Sequence, residues 1–554
     1  MTSAGASFAE RLLLPGSPFE LIDSSASSTL SRVRTFRQAP ASLSGLYRRA
    51  ATQADQVYLH CGGQDFTFGE VLGMAGAIQG VLRDRYGVSP GERVALIHRA
   101  SPEWIASFVA ATAIGAAAVL IGSGCDSSNL LRCLRQTRCA VVIADSEVAA
   151  TLARESDHEA RGVFTPSSAG HPPGPPSMPD FPSIDPEQEA VIAFTTGSTS
   201  RPKAVVSSHR AVITGIFNMM LSSALAAIRE RGRGPAVPRP ASSPVTLLLS
   251  PLDHLSGYSQ LLLMMHVGGR VALLPTWDAG SAVRLISRLR ISGVSGMNVL
   301  QLREVLRTAG STGGDISSLR SIGVHGQSMN LNLLAEINER LPQARAGTGY
   351  GLTETNGTVC TAVGADLSER PGTCGPLVPS VEGRIVDDRG NDVTPGAVGE
   401  IWVRGAMLLS GYCDADGTPR SPLRGGWFAT GDHGRIDQAG FLYLHDRAQD
   451  IVTCAGRKIS LRAVEKLACD SHLVDEAAVL CVPTADSASR LVVAVVPRKS
   501  AEFRQEQVLN RLIQESLIMG CEVTIVELAI MPRLRSGKID RGALRRQLEC
   551  SRQL

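Results

Sequence analysis

The chain has 554 residues, 44% hydrophobic and 19% charged, with a formal net charge of +3, which excludes one small core and requires two or more domains. Its Lys and Arg residues form no block, so the electrostatic footprint of a nucleic-acid binder is missing. Twelve cysteines without C-x-x-C pairs or His-spaced ligand sets read as thiols of a reducing cytoplasm, not as a disulfide or zinc framework.

In chain order, "MTSAGASFAERLLLPGSPFE" carries charges inside its apolar run and makes a poor secretory signal. Residues 1–40 read as a loosely packed N-terminal extension. "WIASFVAATAIGAAAVLIG" (104–122) is uncharged and nearly long enough to cross a bilayer. Its Ala, Gly, Ser and Thr content suits a buried helix leading into a central strand, so no membrane span is expected. Apolar runs recur at 93–98, 139–145, 190–196, 245–251 and 270–275 with helical stretches between them. That alternation predicts parallel βαβ units with helices on both faces. "HPPGPPSMPDFPSIDPEQ" (171–188) reads as a surface linker and "RERGRGPAVPRPASSP" (229–244) as a flexible insertion. "EGRIVDDRGNDVTPGAVGEIWVRG" (382–405) alternates apolar and polar residues around turn dipeptides and predicts a small antiparallel unit. "EAAVLCV" (476–482) and "RLVVAVVP" (490–497) lie among helical segments and predict a separate small α+β domain.

"FTTGSTSRPKAVVSSHRAV" (194–212) gathers hydroxyls around Gly197 and ends in a cation. Lysine is rare here, occurring at 203, 458, 466, 499 and 538, so Lys203 and Lys538 stand out as places where a compact ammonium is needed. A strand, a Gly/Ser/Thr loop and a helix capped by Ser208 would bind phosphate through amides and hydroxyls. No Gly precedes Lys203 and Ala204 follows it, so the run is not a G-x-x-x-x-G-K-[ST] loop. A polar linker is the bland alternative for this stretch alone.

The run resembles the phosphate loop of the adenylate-forming superfamily, which includes acyl- and aryl-CoA ligases, peptide-synthetase adenylation domains, luciferases and amide synthetases. Further stretches are similar to its motifs in the same order: "FTFGE" (66–70), "GYGLTET" (349–355), "WFATGDHGRI" (427–436), "HDRAQDIVTCAGRKIS" (445–460) and "PRLRSGKIDR" (532–541). The resemblance runs from about residue 60 to the end. It implies a large multi-layer α/β N-terminal part (41–448) with parallel sheets and a small β-barrel-like unit. A small mobile α+β C-terminal domain (449–554) would follow.

The resemblance also implies a reaction: a carboxylate attacks the α-phosphorus of ATP, giving acyl-AMP and pyrophosphate. Two anions must meet, so positive charge and a metal are required. Thr195, Thr196, Gly197, Ser198, Thr199 and Lys203 would hold the β- and γ-phosphates. Glu354 would bind Mg²⁺. Gly349 and Tyr350 would lie against adenine, Thr353 would contact the α-phosphate, and Asp432 with Arg447 would hold the ribose. Lys538 would bridge the carboxylate and the α-phosphate. Gln449 stands at the hinge, where the family usually has Asp or Lys, and Gly456 would line the acceptor's path.

Three further departures bear on the acid. Ser200 replaces the phosphate loop's usual Gly. In "VHGQSM" (324–329) His325 and Gln327 replace small residues, narrowing the pocket or adding hydrogen bonds, with Gln327 counted among the ligand-binding residues. "PLDHLSGY" (251–258) carries Asp253 where an aromatic is common, and His254 there could contact the carboxylate. These changes point to an aryl or short functionalised acid. The acceptor would be coenzyme A, with an amine or a carrier protein as alternatives. A member that binds nucleotide without catalysing is the reading of another class.

Overall fold

The computed structural model describes residues 8–24, 33–154, 160–166, 178–195, 202–230, 243–324, 331–447, 450–454, 457–469, 473–483, 489–498, 503–515, 518, 520–533 and 539–550, without the side chains at 8–9, 331–332, 446–447, 458, 483 and 489. Residues 171–177 of the 171–188 linker and 231–242 of the 229–244 insertion lie outside these residues. The chain forms two compact units, one of Met1–Glu382 with Arg404–Phe428, the other of Gly383–Val403 with Ala429–Leu554.

The first unit is built on two eight-stranded sheets. All five apolar runs read from the sequence are strands: Arg93–Ile97, Val141–Ala144, Glu189–Phe194, Val245–Leu248 and Arg270–Leu273. Their ladders are parallel where expected, with Val94 opposite Ala118 and Val141, Ala118 opposite Val191, and Val245 opposite Arg270. Val141–Ala144 is buried at every position, as a strand covered on both faces must be. The uncharged run 104–122 divides into helix Pro102–Ala113 and strand Ala117–Leu120, both buried. Each sheet also takes in antiparallel pairs, including Ala204–Ser208 beside Glu189–Phe194 and Gly357–Val363 beside Arg345–Leu352.

Helix starts follow their capping residues. Thr67 and Glu70 form a reciprocal capping box, Asp126 accepts from Asn129 N–H, and Ser208 accepts from Ala211 N–H. Ser208 therefore caps helix His209–Arg229, as the sequence predicted. That helix is, among the described residues, the one long and apolar enough by composition to cross a bilayer. Its inner face packs on strand Gly357–Val363 and helix Leu255–Val267.

The N-terminal stretch was expected to be loose; among its described residues Phe19, Glu20, Val33, Thr35 and Phe36 are buried and most of the rest are exposed or half-buried. Leu21–Ser24 and Val33–Phe36 form a hairpin. Phe36 lies 5.4 Å from the Phe217 ring and Phe19 packs on Phe36. Glu20 accepts from Gly16 N–H at 2.8 Å and from Arg37 at 2.5 Å. A periodicity reading misses this because the anchors are isolated aromatics, not a repeating pattern.

His209 opens its helix fully buried, and Leu43 N–H donates to its Nδ1 at 3.3 Å. Burial lowers its pKa from 6.5 to about 4, and the helix N-terminus also disfavours an imidazolium. The unfolded chain binds this proton at higher pH than the folded one. Stability is therefore complete above about pH 6.5 and is lost as pH falls towards 4. The loss at pH 5 is roughly 2 kcal/mol from this group. His209→Gln should flatten the slope of melting temperature between pH 7 and pH 4.5, and an unchanged slope would contradict the assignment.

In the second unit, strands Glu382–Val386, Gly399–Arg404, Phe428–Ile436 and Phe441–Arg447 lie side by side in one sheet. Hairpin Ile451–Cys454/Arg457–Ser460 comes next, then a three-stranded sheet of Val474–Pro483, Ser489–Pro497 and Glu522–Glu527. Alternation along its strands fills two cores. Ala477, Val479, Leu491 and Val493 pack under helices Leu461–Cys469 and Gln505–Gln514, while Ala478, Leu480, Val492 and Ala494 pack under Arg541–Cys550. The fold is mixed α/β with parallel-containing sheets and a β-rich C-terminal unit.

Candidate adenylation site

Thr195 and Lys203 close the base of the phosphate-loop segment. Thr195 N–H donates to the Lys203 carbonyl at 2.9 Å, and Lys203 N–H donates to Thr195 Oγ1 at 3.2 Å. Thr196, Gly197, Ser198, Thr199 and Ser200 lie outside the described residues. The helix begins at His209 behind its cap Ser208, as expected, and strand Ala204–Ser208, buried throughout and not read from the sequence, lies between it and the segment. The β-branched pair Val205–Val206 makes that strand.

Lys203 leads to a residue that the sequence did not single out. Its Nζ lies 4.9 Å from the centroid of the Tyr412 ring. Tyr412 sits on strand Gly411–Cys413, where it pairs opposite Val205. Its hydroxyl donates to Glu354 Oε1 at 2.8 Å. Burial first, then the Glu354 charge and this hydrogen bond, push the phenol's pKa well up. Tyr412 therefore remains a donor throughout the physiological range. The clue in the sequence was the dipeptide Gly411-Tyr412 in "SGYC", which matches the Gly-Tyr of 349–350.

Glu354 is half-buried in a 3₁₀ turn, Thr353–Thr355, at the end of strand Arg345–Leu352. Leu352 N–H donates to Thr355 Oγ1 at 2.9 Å, and the Thr355 hydroxyl lies 2.8 Å from the Gly357 carbonyl. Asn356 takes a left-handed conformation, φ 46°, which Asn tolerates better than most residues. Its Nδ2 donates to the Met407 carbonyl at 3.0 Å, and Leu409 N–H donates to the Glu354 carbonyl at 2.9 Å. Segment 405–410 thus fastens the turn, and Ser410 N–H ties the same segment to Val206 at 2.8 Å. Gly215 and Gly351 allow the close approaches around the turn. A methyl at Gly215 would overlap the Asn356 carbonyl oxygen, and one at Gly351 the Gly357 carbonyl oxygen.

No group of three or more His, Cys, Asp or Glu side chains capable of holding a metal occurs among the described residues. A single carboxylate with one oxygen engaged by Tyr412 suits a cation that takes most of its ligands from substrate phosphates and water, as Mg²⁺ does.

On strand Arg345–Leu352 the Tyr350 side chain is buried, while Gly349 and Gly351 on either side of it are exposed. His254 is half-buried at the N-cap of helix Leu255–Val267, beside half-buried Asp253. His325 and Gln327 lie outside the described residues.

In the second unit, Asp432 is buried on strand Phe428–Ile436 directly opposite Arg447, so two residues expected to share the ribose are cross-strand neighbours. The Thr430 hydroxyl accepts from Asp432 N–H at 3.1 Å and donates to the Ile401 carbonyl at 2.7 Å, which fixes the approach to Asp432. Gly431, at φ 73°, makes the bend between them. Gln449, Gly456 and Lys538 lie outside the described residues.

Comparison with known proteins completes the assignment. A family model described as AMP-binding enzyme matches residues 46–413. The chain is 26% identical over 475 residues to 4-coumarate–CoA ligase-like 6 of Oryza sativa subsp. japonica, covering 83% of this chain and 78% of that protein. The solved structure of the amide bond synthetase McbA from Marinactinospora thermotolerans is 26% identical, with a TM-score of 0.76 over 92% of this chain and 100% of that one. The o-succinylbenzoate CoA synthetase of Bacillus subtilis shares the fold at 22% identity, with a TM-score of 0.75 over 90% of this chain and 97% of that one. With the phosphate-loop base, the Glu354 turn and a matching model over more than half its length, the chain belongs to the AMP-binding enzymes of the adenylate-forming superfamily and is an acid ligase.

Proposed function

We propose that the protein activates an aryl or short functionalised carboxylic acid as its acyl-AMP, releases pyrophosphate, and passes the acyl group to coenzyme A. The observation that carries the adenylation half is the array of Lys203, Tyr412 and Glu354, which puts a phosphate-binding cation and a metal-binding carboxylate on one scaffold. Thr195, the hydroxyls of 196–199 and Lys203 hold the β- and γ-phosphates, and Thr353 contacts the α-phosphate. Gly349 and Tyr350 accommodate adenine, and Asp432 and Arg447 hold the ribose. Glu354 would hold Mg²⁺, which when bound neutralises charge on the phosphate oxygens. Lys538, on a C-terminal domain that turns about Gln449, brings its ammonium to the acid carboxylate and the α-phosphate. His254, Asp253, His325 and Gln327 shape the acid's pocket, and Gly456 lines the acceptor's path. Twelve free thiols suit a reducing cytoplasm.

The relative's 4-coumarate–CoA ligase-like name supports both an aryl acid and coenzyme A as acceptor. Direct transfer to an amine is the second reading, favoured by the 26% identity to an amide bond synthetase over 92% of the chain. A competition decides between them. With an accepted acid, ATP and Mg²⁺ present, coenzyme A and a panel of small amines are supplied together and products are identified by mass. The account predicts the thioester and AMP; an amide formed with coenzyme A left unconsumed would overturn the acceptor assignment.

A further inference from the structure

We infer that Tyr412 is a positioning residue that keeps the phosphate-binding lysine and the metal-binding carboxylate apart and correctly aimed. The inference rests on the roles proposed above for Lys203 and Glu354. An ammonium and a carboxylate on neighbouring segments would ordinarily pair directly, and each would then be masked from its ligand. Lys203 and Glu354 form no ion pair with each other among the described residues; the Tyr412 side chain serves both. The ammonium rests 4.9 Å from the ring centroid, an attraction that leaves its hydrogens free to donate. The phenol donates at 2.8 Å to Oε1, which restrains that oxygen and leaves Oε2 without a bond from the phenol.

The tyrosine is itself fixed. Its backbone pairs opposite Val205, two residues from Lys203, and the preceding segment donates to the Glu354 and Val206 carbonyls at 2.9 and 2.8 Å. Three chain segments far apart in sequence thus meet at one side chain. The phenol acts on both ligand-binding groups without needing to touch substrate.

The test uses the full-length protein with Tyr412→Phe, Tyr412→Leu and Glu354→Gln. Binding of Mn²⁺ to the protein–ATP complex is read by electron paramagnetic resonance, and binding of metal-free ATP by calorimetry in EDTA. Melting temperature reports folding. Phe keeps the ring beneath Lys203 and removes the donor. It should weaken Mn²⁺ binding about tenfold while leaving metal-free ATP affinity unchanged. Leu removes both interactions, lets Lys203 pair with Glu354, and should weaken both ligands. Adding Tyr412→Phe to Glu354→Gln should cost no further Mn²⁺ affinity. Wild-type Mn²⁺ affinity in Tyr412→Phe, or equal loss of both ligands in that variant, would overturn the inference. Wild-type Mn²⁺ affinity in Glu354→Gln would overturn the metal role of Glu354 itself, and acyl-AMP formation by the unaltered protein is scored separately from either result.

Discussion

Lys538→Ala is expected to lower acyl-AMP formation by about a hundredfold or more while ATP binding stays close to that of the unaltered protein. The chain has five lysines, and this one lies in "RLRSGKIDR", the stretch similar to the family's C-terminal motif. Adenylation brings a carboxylate against a phosphate, so charge repulsion builds as the new oxygen–phosphorus bond forms. An ammonium placed at both groups stabilises that arrangement more than it stabilises bound ATP alone, so its loss appears in the rate and not in affinity. Single-turnover adenylation and equilibrium ATP binding separate the two. Equal loss of rate and affinity would assign Lys538 to ground-state binding, and full activity would remove it from the mechanism. Transfer from preformed acyl-AMP should survive the substitution, because no α-phosphate charge is then being created by attack of the acid.

Gly215→Ala should disturb the site from the opposite side. Gly215 lies in the buried face of helix His209–Arg229, and an added methyl would overlap the Asn356 carbonyl oxygen. Alanine favours helix, so propensity alone would predict a gain in stability. The steric term wins, because the contact is backbone against backbone and neither side can rotate away. Relief requires moving the helix or the turn, at a cost of about 3 kcal/mol. The turn moves at a functional cost as well, since Asn356 lies two residues from Glu354 and its Nδ2 donates to the Met407 carbonyl. The variant should show a lower melting temperature and a raised Mg²⁺ requirement for adenylation. An unchanged melting temperature would contradict the packing described for this helix.

The sequence carried the parallel framework well, because βαβ units with both faces covered demand unbroken apolar strands, as in Val141–Ala144. It also carried the cap at Ser208, a local interaction three residues long. It left out the strand after the phosphate loop, because "AVVSS" is short and is held as a strand by pairing with Glu189–Phe194 on one side and Gly411–Cys413 on the other. The role of Tyr412 was not legible beyond its Gly-Tyr dipeptide, for a related reason. Its partners Glu354 and Lys203 are distant in the chain, and no periodicity links them. Asp432 and Arg447 were both named, but only the ladder register places them opposite one another. The N-terminal hairpin escaped because Phe36, on which Phe19 packs, is anchored by Phe217, a residue of a distant helix.

The central claim is that this chain adenylates a carboxylic acid, and the most direct measurement traps that product. The purified protein is incubated with ATP, Mg²⁺ and a panel of aryl, heteroaryl and aliphatic acids in hydroxylamine, and hydroxamate and pyrophosphate are quantified together. Hydroxylamine replaces the natural acceptor, so the result is independent of the choice between coenzyme A and an amine. The account predicts equal amounts of hydroxamate and pyrophosphate with aryl or short functionalised acids. ATP bound tightly with neither product formed from any acid would contradict it, and would leave a protein that holds the nucleotide without using it.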